Sequence, residues 1–271
     1  MSSTSVAVPV RDSRDHRIPF SVVRDTFAIT QRNLIAYRRV PQLLVFSTIQ
    51  PVIFVLMFRY VFGGAIKLPG PIPYVDYLMP GIFVQTVVFG AIATAIGLAT
   101  DLKSGLMERF HALPMARSAV LTGRTMADLT RNVFVVILMM AVGFIVGWRI
   151  HTSVLGLLAG ALLVLLFGYS MSWIFATVGL AVGDPETAQA AAFPVLAPLV
   201  FASSAFVSPD SMPSWLQVFA KHQPVSVTAS AVRALVNGGP TATYVWQSVA
   251  WCVAILVLFA PTAVRLYRRA V

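Results

Sequence analysis

Between Arg11 and Arg269, long uncharged runs alternate with short charged stretches, and the Lys and Arg residues fall overwhelmingly into every second stretch. With no water in a bilayer core, a crossing segment must pair its own backbone groups, which takes about 20 apolar residues of helix. Six runs meet this need: Gln42 to Phe58, Tyr77 to Thr100, Asn132 to Trp148, Thr152 to Gly183, Ala188 to Val207 and Tyr244 to Val264. Apolar residues make up 58% of the chain and charged ones 11%, well under the roughly 25% of soluble domains. The expected fold is therefore an all-α membrane protein of six spans.

The fourth run is long for one perpendicular crossing. Splitting it would put the chain ends on opposite faces and send Arg265, Arg268 and Arg269 outward, against the positive-inside rule. It offers only Gly168 and the Tyr169 to Ser172 patch as breakers, so one tilted or protruding helix is expected. Fifteen basic residues lie in the N-terminal arm, the loop after the second span and the tail. Five lie on the other side: Arg59, Lys67, Arg149, Lys221 and Arg233. Both termini are thus expected in the cytoplasm of a bacterial plasma membrane. The formal charge of +10 lies mainly against anionic membrane lipids, and no nucleic-acid module surrounds it.

No apolar region with a cleavage site precedes Arg39, so the arm does not read as a signal peptide. Residues 1–19 read as disordered. Across residues 20–40, Phe20, Val23, Phe27, Leu34 and Tyr37 share a helical face, which predicts an interfacial helix leading into the 41–271 domain. That helix either anchors to lipid or touches a cytoplasmic partner. The lone Cys252 lies within a span and implies no redox chemistry.

The chain contains no G-x-x-x-x-G-K-[ST] phosphate loop and no H-E-x-x-H pair, and its four histidines stand in separate segments. No catalytic residue, metal site or cofactor is expected in it. The six runs contain no Asp, Glu, Lys or Arg, which argues against an ion-coupled transporter and leaves energy to a partner.

In the loop from Asp101 to Arg131, Leu102, Leu106, Phe110 and Leu113 form one apolar stripe that Pro114 ends, and a second helical stretch from about Ala116 leads back to the membrane. Read alone, this element either lies on lipid or docks on another protein. Glu108-Arg109-Phe110, Leu113-Pro114, Arg117, Leu121 and Gly123-Arg124 resemble the loop between the second and third spans of ABC type 2 permeases, in particular the daunorubicin-resistance branch. The outer segment from Val207 to Leu235, with Met212-Pro213, Trp215-Leu216 and Gln223-Pro224, is similar to that family's external region. It departs from it where His222-Gln223-Pro224 replaces the Asn-Pro pair of many relatives.

The resemblance implies a half-transporter that pairs with a second permease protomer, identical or related, and binds two ATP-binding-cassette ATPase subunits. ATP and magnesium would belong to those subunits. Leu106, Phe110 and Leu113 would fill a cleft on the ATPase, with Pro114 closing the helix and Glu108, Arg109 and Arg117 setting register at its rim. Their other reading is a solvated face.

Gln50, Gln85, Tyr169 and Ser172 are costly in lipid and should face protein or a wet cavity. With Phe54, Met57 and Phe89 they form a candidate substrate path; interhelical hydrogen bonding is the plainer reading. Small faces at Thr86, Gly90, Thr94 and Gly97, at Gly143 and Gly147, and at Gly156 and Gly160 suggest close helix packing or a dimer seam. Trp215, Leu216 and Phe219 are expected to cap the exit as short re-entrant helices. The expected function is export of a hydrophobic or amphipathic compound such as a natural product, glycolipid or lipid; the alternative is a scaffold or insertion factor that transports nothing. A cysteine placed at Phe110 should react with an impermeant thiol reagent only after the cells are opened.

Overall fold

The computed structural model describes residues 30–31, 41–66, 72–105 and 117–270, and the described residues are mostly helical. In chain order the helices are α1 (Pro41–Leu56, continued by a π turn at Met57–Val61), α2 (Tyr74–Lys103), α3 (Arg117–Val146) and α4 (Val154–Val182). They are followed by α5 (Pro185–Phe201), α6 (Ser214–His222), α7 (Pro224–Asn237) and α8 (Thr241–Ala270), and no strand occurs among the described residues. Four of them are long and apolar enough to cross a membrane: α2, α3 from Leu121, α4, and α8 as far as Arg269. At 16 and 17 residues, α1 and α5 are shorter.

The fourth apolar run is one continuous helix, and its ends explain its length. Ser153 caps it with its side-chain oxygen on the Gly156 amide, and Gly183 stops it in the left-handed conformation at φ 74°, donating its N–H to the Gly179 carbonyl at 3.0 Å. Asp184 then caps α5 by accepting from the Thr187 amide, with Pro185 at the first helical position. The Lys103 ammonium, bonded to Asp184 at 2.6 Å, and Thr187 hold that carboxyl down at about 2.

The third span begins earlier than expected. It starts at Arg117, fifteen residues before the expected Asn132, so Arg124, Asp128 and Arg131 lie within a helix. A helical stretch from about Ala116 is expected to lead back to the membrane, but it and the span form one helix, and Asp128 is fully buried and Arg131 nearly so, because α2 supplies partners for them. The Gly143 and Gly147 spacing also divides: Gly143 packs near Met79 and Trp148, whereas Gly147, at φ 103° with open space around it, follows the end of α3.

The helices alternate in direction. One end of the bundle carries Lys103, Asp184 and the cluster of Leu98, Leu121, Leu180 and Tyr267, which joins α2, α3, α4 and α8. The other end carries Asp76, buried at the start of α2. Its carboxylate accepts the Arg149 amide at 3.0 Å and contacts His151 Nε2 at 2.8 Å, while its carbonyl accepts from Asn237 at 2.9 Å. Phe54 of α1 and Phe58 of the π turn that continues it stack on Phe206 at this same end, so α1 runs toward it.

The core is α2. Its most apolar window is 67% buried, against 17% for α8, because α1, α3, α4, α5 and α7 all pack on it. Close approach needs glycine in two places. A Cβ on Gly179 of α4 would overlap the Ala95 backbone, and one on Gly81 of α2 would overlap the Ala205 backbone. At the Asp76 end, the Arg233 guanidinium of α7 donates to Tyr77 O (2.8 Å), Ser204 O (2.6 Å), Ala205 O (3.1 Å) and Ser204 Oγ (3.2 Å), and lies 3.7 Å over the Tyr77 ring.

Gln223, the departure from Asn-Pro, caps α7 by accepting from the Val225 amide and sends its NH2 group to Leu199 O at 2.8 Å and Ala202 O at 3.3 Å. The longer amide thus closes the end of α5 as well as the start of α7. Replacing Gly179 with Val should cost about 1–3 kcal/mol, since the clash is with backbone rather than a mobile side chain. Arg233→Met should cost about as much by leaving buried carbonyls without a donor. Both should lower the temperature at which buried Cys252 begins to react with a thiol-sensitive dye.

Candidate functional site

One face of α2 builds the site. Gln85 and Thr86, Phe89 and Gly90, Ile92 and Ala93, and Ile96 and Gly97 recur at helical spacing and line a cavity of about 390 Å³, closed by Gln50 and Pro51 of α1 and by Arg124 and Arg131 of α3. This volume suits a small organic ligand. The cavity reaches from the middle of α2 toward the Lys103 end.

The two arginines occupy notches cut by two glycines. Arg124 and Arg131 are seven residues apart, as are Gly90 and Gly97, so both pairs recur about every 10.5 Å along their helices. A Cβ on Gly97 would overlap the Arg124 guanidinium, and one on Gly90 would come within 2.8 Å of Arg131 Nη2. Absent side chains expose α2 carbonyls, and the guanidiniums use them. Arg131 donates to Gly90 O at 2.7 Å and to Asn132 Oδ1 at 3.2 Å, and Arg124 donates to Ala93 O at 3.3 Å.

Carboxylates complete the arrangement outside the lining. Asp101 lies 3.8 Å from Arg124, and buried Asp128 accepts from the Thr94 hydroxyl. An ionised side chain within a membrane helix is expensive unless it is paired, and here each cation has backbone or carboxylate oxygens within reach. Two buried polar groups beside the cavity are left over. The Gln85 amide oxygen, on a residue 1% exposed, and Arg124 Nε have no hydrogen-bond partner among the described residues. The site can receive an apolar body along Phe89, Ile92 and Ile96, with the polar side chains of Gln85 and Arg124 among its walls.

Of the residues picked out for a substrate path, Gln50, Gln85 and Phe89 meet at this cavity. Phe54 lies instead in the aromatic stack with Phe58 and Phe206, and Met57 opens the π turn. Tyr169 packs edge-on to Trp173 with its partners Leu98 and Leu121, and Ser172 returns its hydroxyl to the Gly168 carbonyl. Leu106, Glu108, Arg109, Phe110, Leu113 and Pro114 lie outside the described residues; Arg117 begins α3. Within the expected interfacial helix, Thr30 and Gln31 are helical, and Thr30 donates to the Gly123 carbonyl. The rest of that segment lies outside the described residues.

On α6, Trp215 and Phe219 are exposed and Leu216 is half-buried. Beside them is a second cavity, of about 640 Å³, with the polar residues Ser226, Ser230, Arg233, Tyr244 and Gln247 among its lining. Lys221 on its rim bonds Asp210 at 2.8 Å and lowers that carboxyl below its ordinary value. Reasoning from sequence missed Arg124, Asp128, Arg131, Asp76 and Arg233 as organising residues. The matched seven-residue spacings of Arg124 with Arg131 and Gly90 with Gly97 were the available signal.

Residues 24–236 match the family described as ABC-2 type transporter. The chain is 35% identical, over 92% of its length and 87% of the relative's, to the daunorubicin resistance ABC transporter permease protein DrrB1 of Streptomyces coeruleorubidus. It is 25% identical, over 92% of its length and 90% of the relative's, to the probable doxorubicin resistance ABC transporter permease protein DrrC of Mycobacterium tuberculosis strain H37Rv. A putative transport permease, ycf38 of Cyanophora paradoxa, is 24% identical over 80% of the chain and 75% of its own length. The chain thus belongs to the ABC-2 type transporter family, as a membrane permease subunit of an ATP-binding-cassette transporter.

Proposed function

We propose that this permease exports a hydrophobic or amphipathic compound from the cytoplasm or inner leaflet of a bacterial plasma membrane, with six passes and both termini inside. Relatives named for daunorubicin and doxorubicin resistance support a drug-like cargo. The cavity between α1, α2 and α3 carries the reading, because it combines an apolar wall with Gln85 near the middle of α2 and Arg124 at the end nearest Lys103. The excess of Lys and Arg in alternate segments supports the orientation that turns this end toward ATP.

The complex pairs two permease protomers with two separate ATPase subunits. The segment holding Leu106, Glu108, Arg109, Phe110 and Leu113 joins the end of α2 to the start of α3, so a push on it moves both helices that flank the cavity. Since α2 is one helix from Lys103 to Tyr74, a tilt at its cytoplasmic end is carried to the Asp76 network on the far side. Trp215, Leu216 and Phe219 cap the exit at that side.

Two substitutions separate drive from cargo handling in proteoliposomes holding the permease and its ATPase. Phe110→Ala, removing an anchor from the drive contact, should cut doxorubicin transport about tenfold and abolish the stimulation of ATP hydrolysis by drug. Phe89→Ala should weaken drug stimulation by about tenfold in concentration while leaving the unstimulated ATPase rate in place. Transport that survives both substitutions unchanged would remove the basis of the proposal.

A further inference from the structure

The second cavity, at the Asp76 end, forms where one helix folds back along another. The link Gly238-Gly239-Pro240 turns α8 against α7, and the buried Thr228 and Ser248 hydroxyls, 2.8 Å apart, join the pair. Ser226, Ser230 and Arg233 share one face of α7, Tyr244 and Gln247 share one face of α8, and both faces line the same space of about 640 Å³. Its charges are already in use. Arg233 spends four N–H donors on Tyr77 O, Ser204 O, Ala205 O and Ser204 Oγ, and Lys221 is paired with Asp210 at 2.8 Å. His222 Nδ1 donates to the Val218 carbonyl at 2.8 Å. The groups left over are neutral: the side chains of Ser230, Tyr244 and Gln247 make no hydrogen bond among the described residues. Tyr244 and Gln247 are exposed and Ser230 is half-buried, so all three can be reached.

We propose that this cavity is a second binding site, separate from the one between α1, α2 and α3, and that it takes the hydroxyl-rich head of a glycoside. A sugar hydroxyl is donor and acceptor at once, and so are the Ser230 and Tyr244 hydroxyls and the Gln247 amide. Neighbouring hydroxyls of one ring can pair with them and leave no donor or acceptor unmatched. The Tyr244 ring, on a residue 36% exposed, offers an apolar surface to the C–H face of the sugar. A phosphate head finds no unspent cation here: it would have to draw Lys221 from Asp210 or Arg233 from its carbonyls. Trp246, 73% exposed between Tyr244 and Gln247 in sequence, marks the headgroup depth of the membrane, so a head held in the cavity leaves its apolar part in the leaflet.

The test uses the full-length protein in phosphatidylcholine nanodiscs, which open both membrane faces to solution. Three diazirine probes share one alkyl chain and differ in head: a glucoside, a phosphate and a plain alcohol. Photolabelled peptides report location, and titration reports affinity. The glucoside should label the Ser226 to Gln247 stretch and bind about tenfold more tightly than the phosphate or the alcohol. Gln247→Leu combined with Tyr244→Phe, both at exposed positions, should weaken glucoside binding about tenfold and leave the other two probes unchanged. Should that double variant fail to fold by its melting profile, Ser230→Ala makes the same comparison with a loss of about threefold.

Two competitors separate the sources of the sugar. Methyl glucoside that competes from solution identifies a water-borne glycoside, and competition only by a glucosyl diacylglycerol placed in the disc identifies a leaflet glycolipid; either result supports the proposal. If neither competes, the alkyl chain rather than the sugar holds the probe, and the proposal falls. A phosphate or alcohol probe that labels the stretch and binds as tightly as the glucoside also overturns it. So do glucoside labelling confined to other segments and equal weakening of all three probes by the double variant. None of these results bears on the cavity between α1, α2 and α3, which is read out by drug stimulation in the Phe89→Ala variant.

Discussion

A guanidinium inside a bundle built for lipid must find its acceptors on neighbouring backbones, and three arginines here do so. Arg131 and Arg124 reach the carbonyls of Gly90 and Ala93 on α2, and Arg233 gathers those of Tyr77, Ser204 and Ala205. Interior helical carbonyls are already bonded within the helix, but their second lone pair remains available where no side chain covers it. Gly90 and Gly97 provide that access for α3, and the break in helix after Phe201 provides it for Arg233. These contacts tie α2 to α3 at one end and to α7 and the segment after α5 at the other.

The two ends differ in how firmly they are held. At the Asp76 end, backbone and side-chain bonds from Arg149, His151, Thr152, Asn237 and Arg233 interlock α2, α4 and α7. Toward the Lys103 end, α2 and α3 are joined through side chains, and a cavity of about 390 Å³ stands between them and α1. Bonds made by long side chains lengthen and re-form at low cost, whereas backbone contacts such as Gly179 on Ala95 do not. Relative movement of α2 and α3 is therefore easiest at the cavity, and α2 with α4 remains the fixed frame.

Much of this architecture was legible in the residues. The apolar runs located helices, the lack of a breaker between Thr152 and Gly183 marked a single helix, and Gln50, Gln85 and Phe89 meet at one cavity. The late placing of the third span, at Asn132 within α3, has a definite cause. Taken one by one, Arg124, Asp128 and Arg131 look too polar for an apolar span, because the compensating groups, Gly90, Ala93, Thr94 and Asp101, lie about twenty to forty residues earlier on another helix. Tyr169 and Ser172 illustrate the converse. Their polarity is satisfied locally, by packing on Trp173 and by the Gly168 carbonyl, and neither lines the cavity.

Sequence alone determined that this is an all-α membrane protein, where most helices run, and to which family it belongs, since apolar length and motif spacing are local properties of the chain. Only the tertiary structure decided which polar groups are structural and which face the cavity. That distinction depends on the acceptor supplied by a neighbouring helix, and a lone pair left open above a glycine is visible only once two helices are brought together.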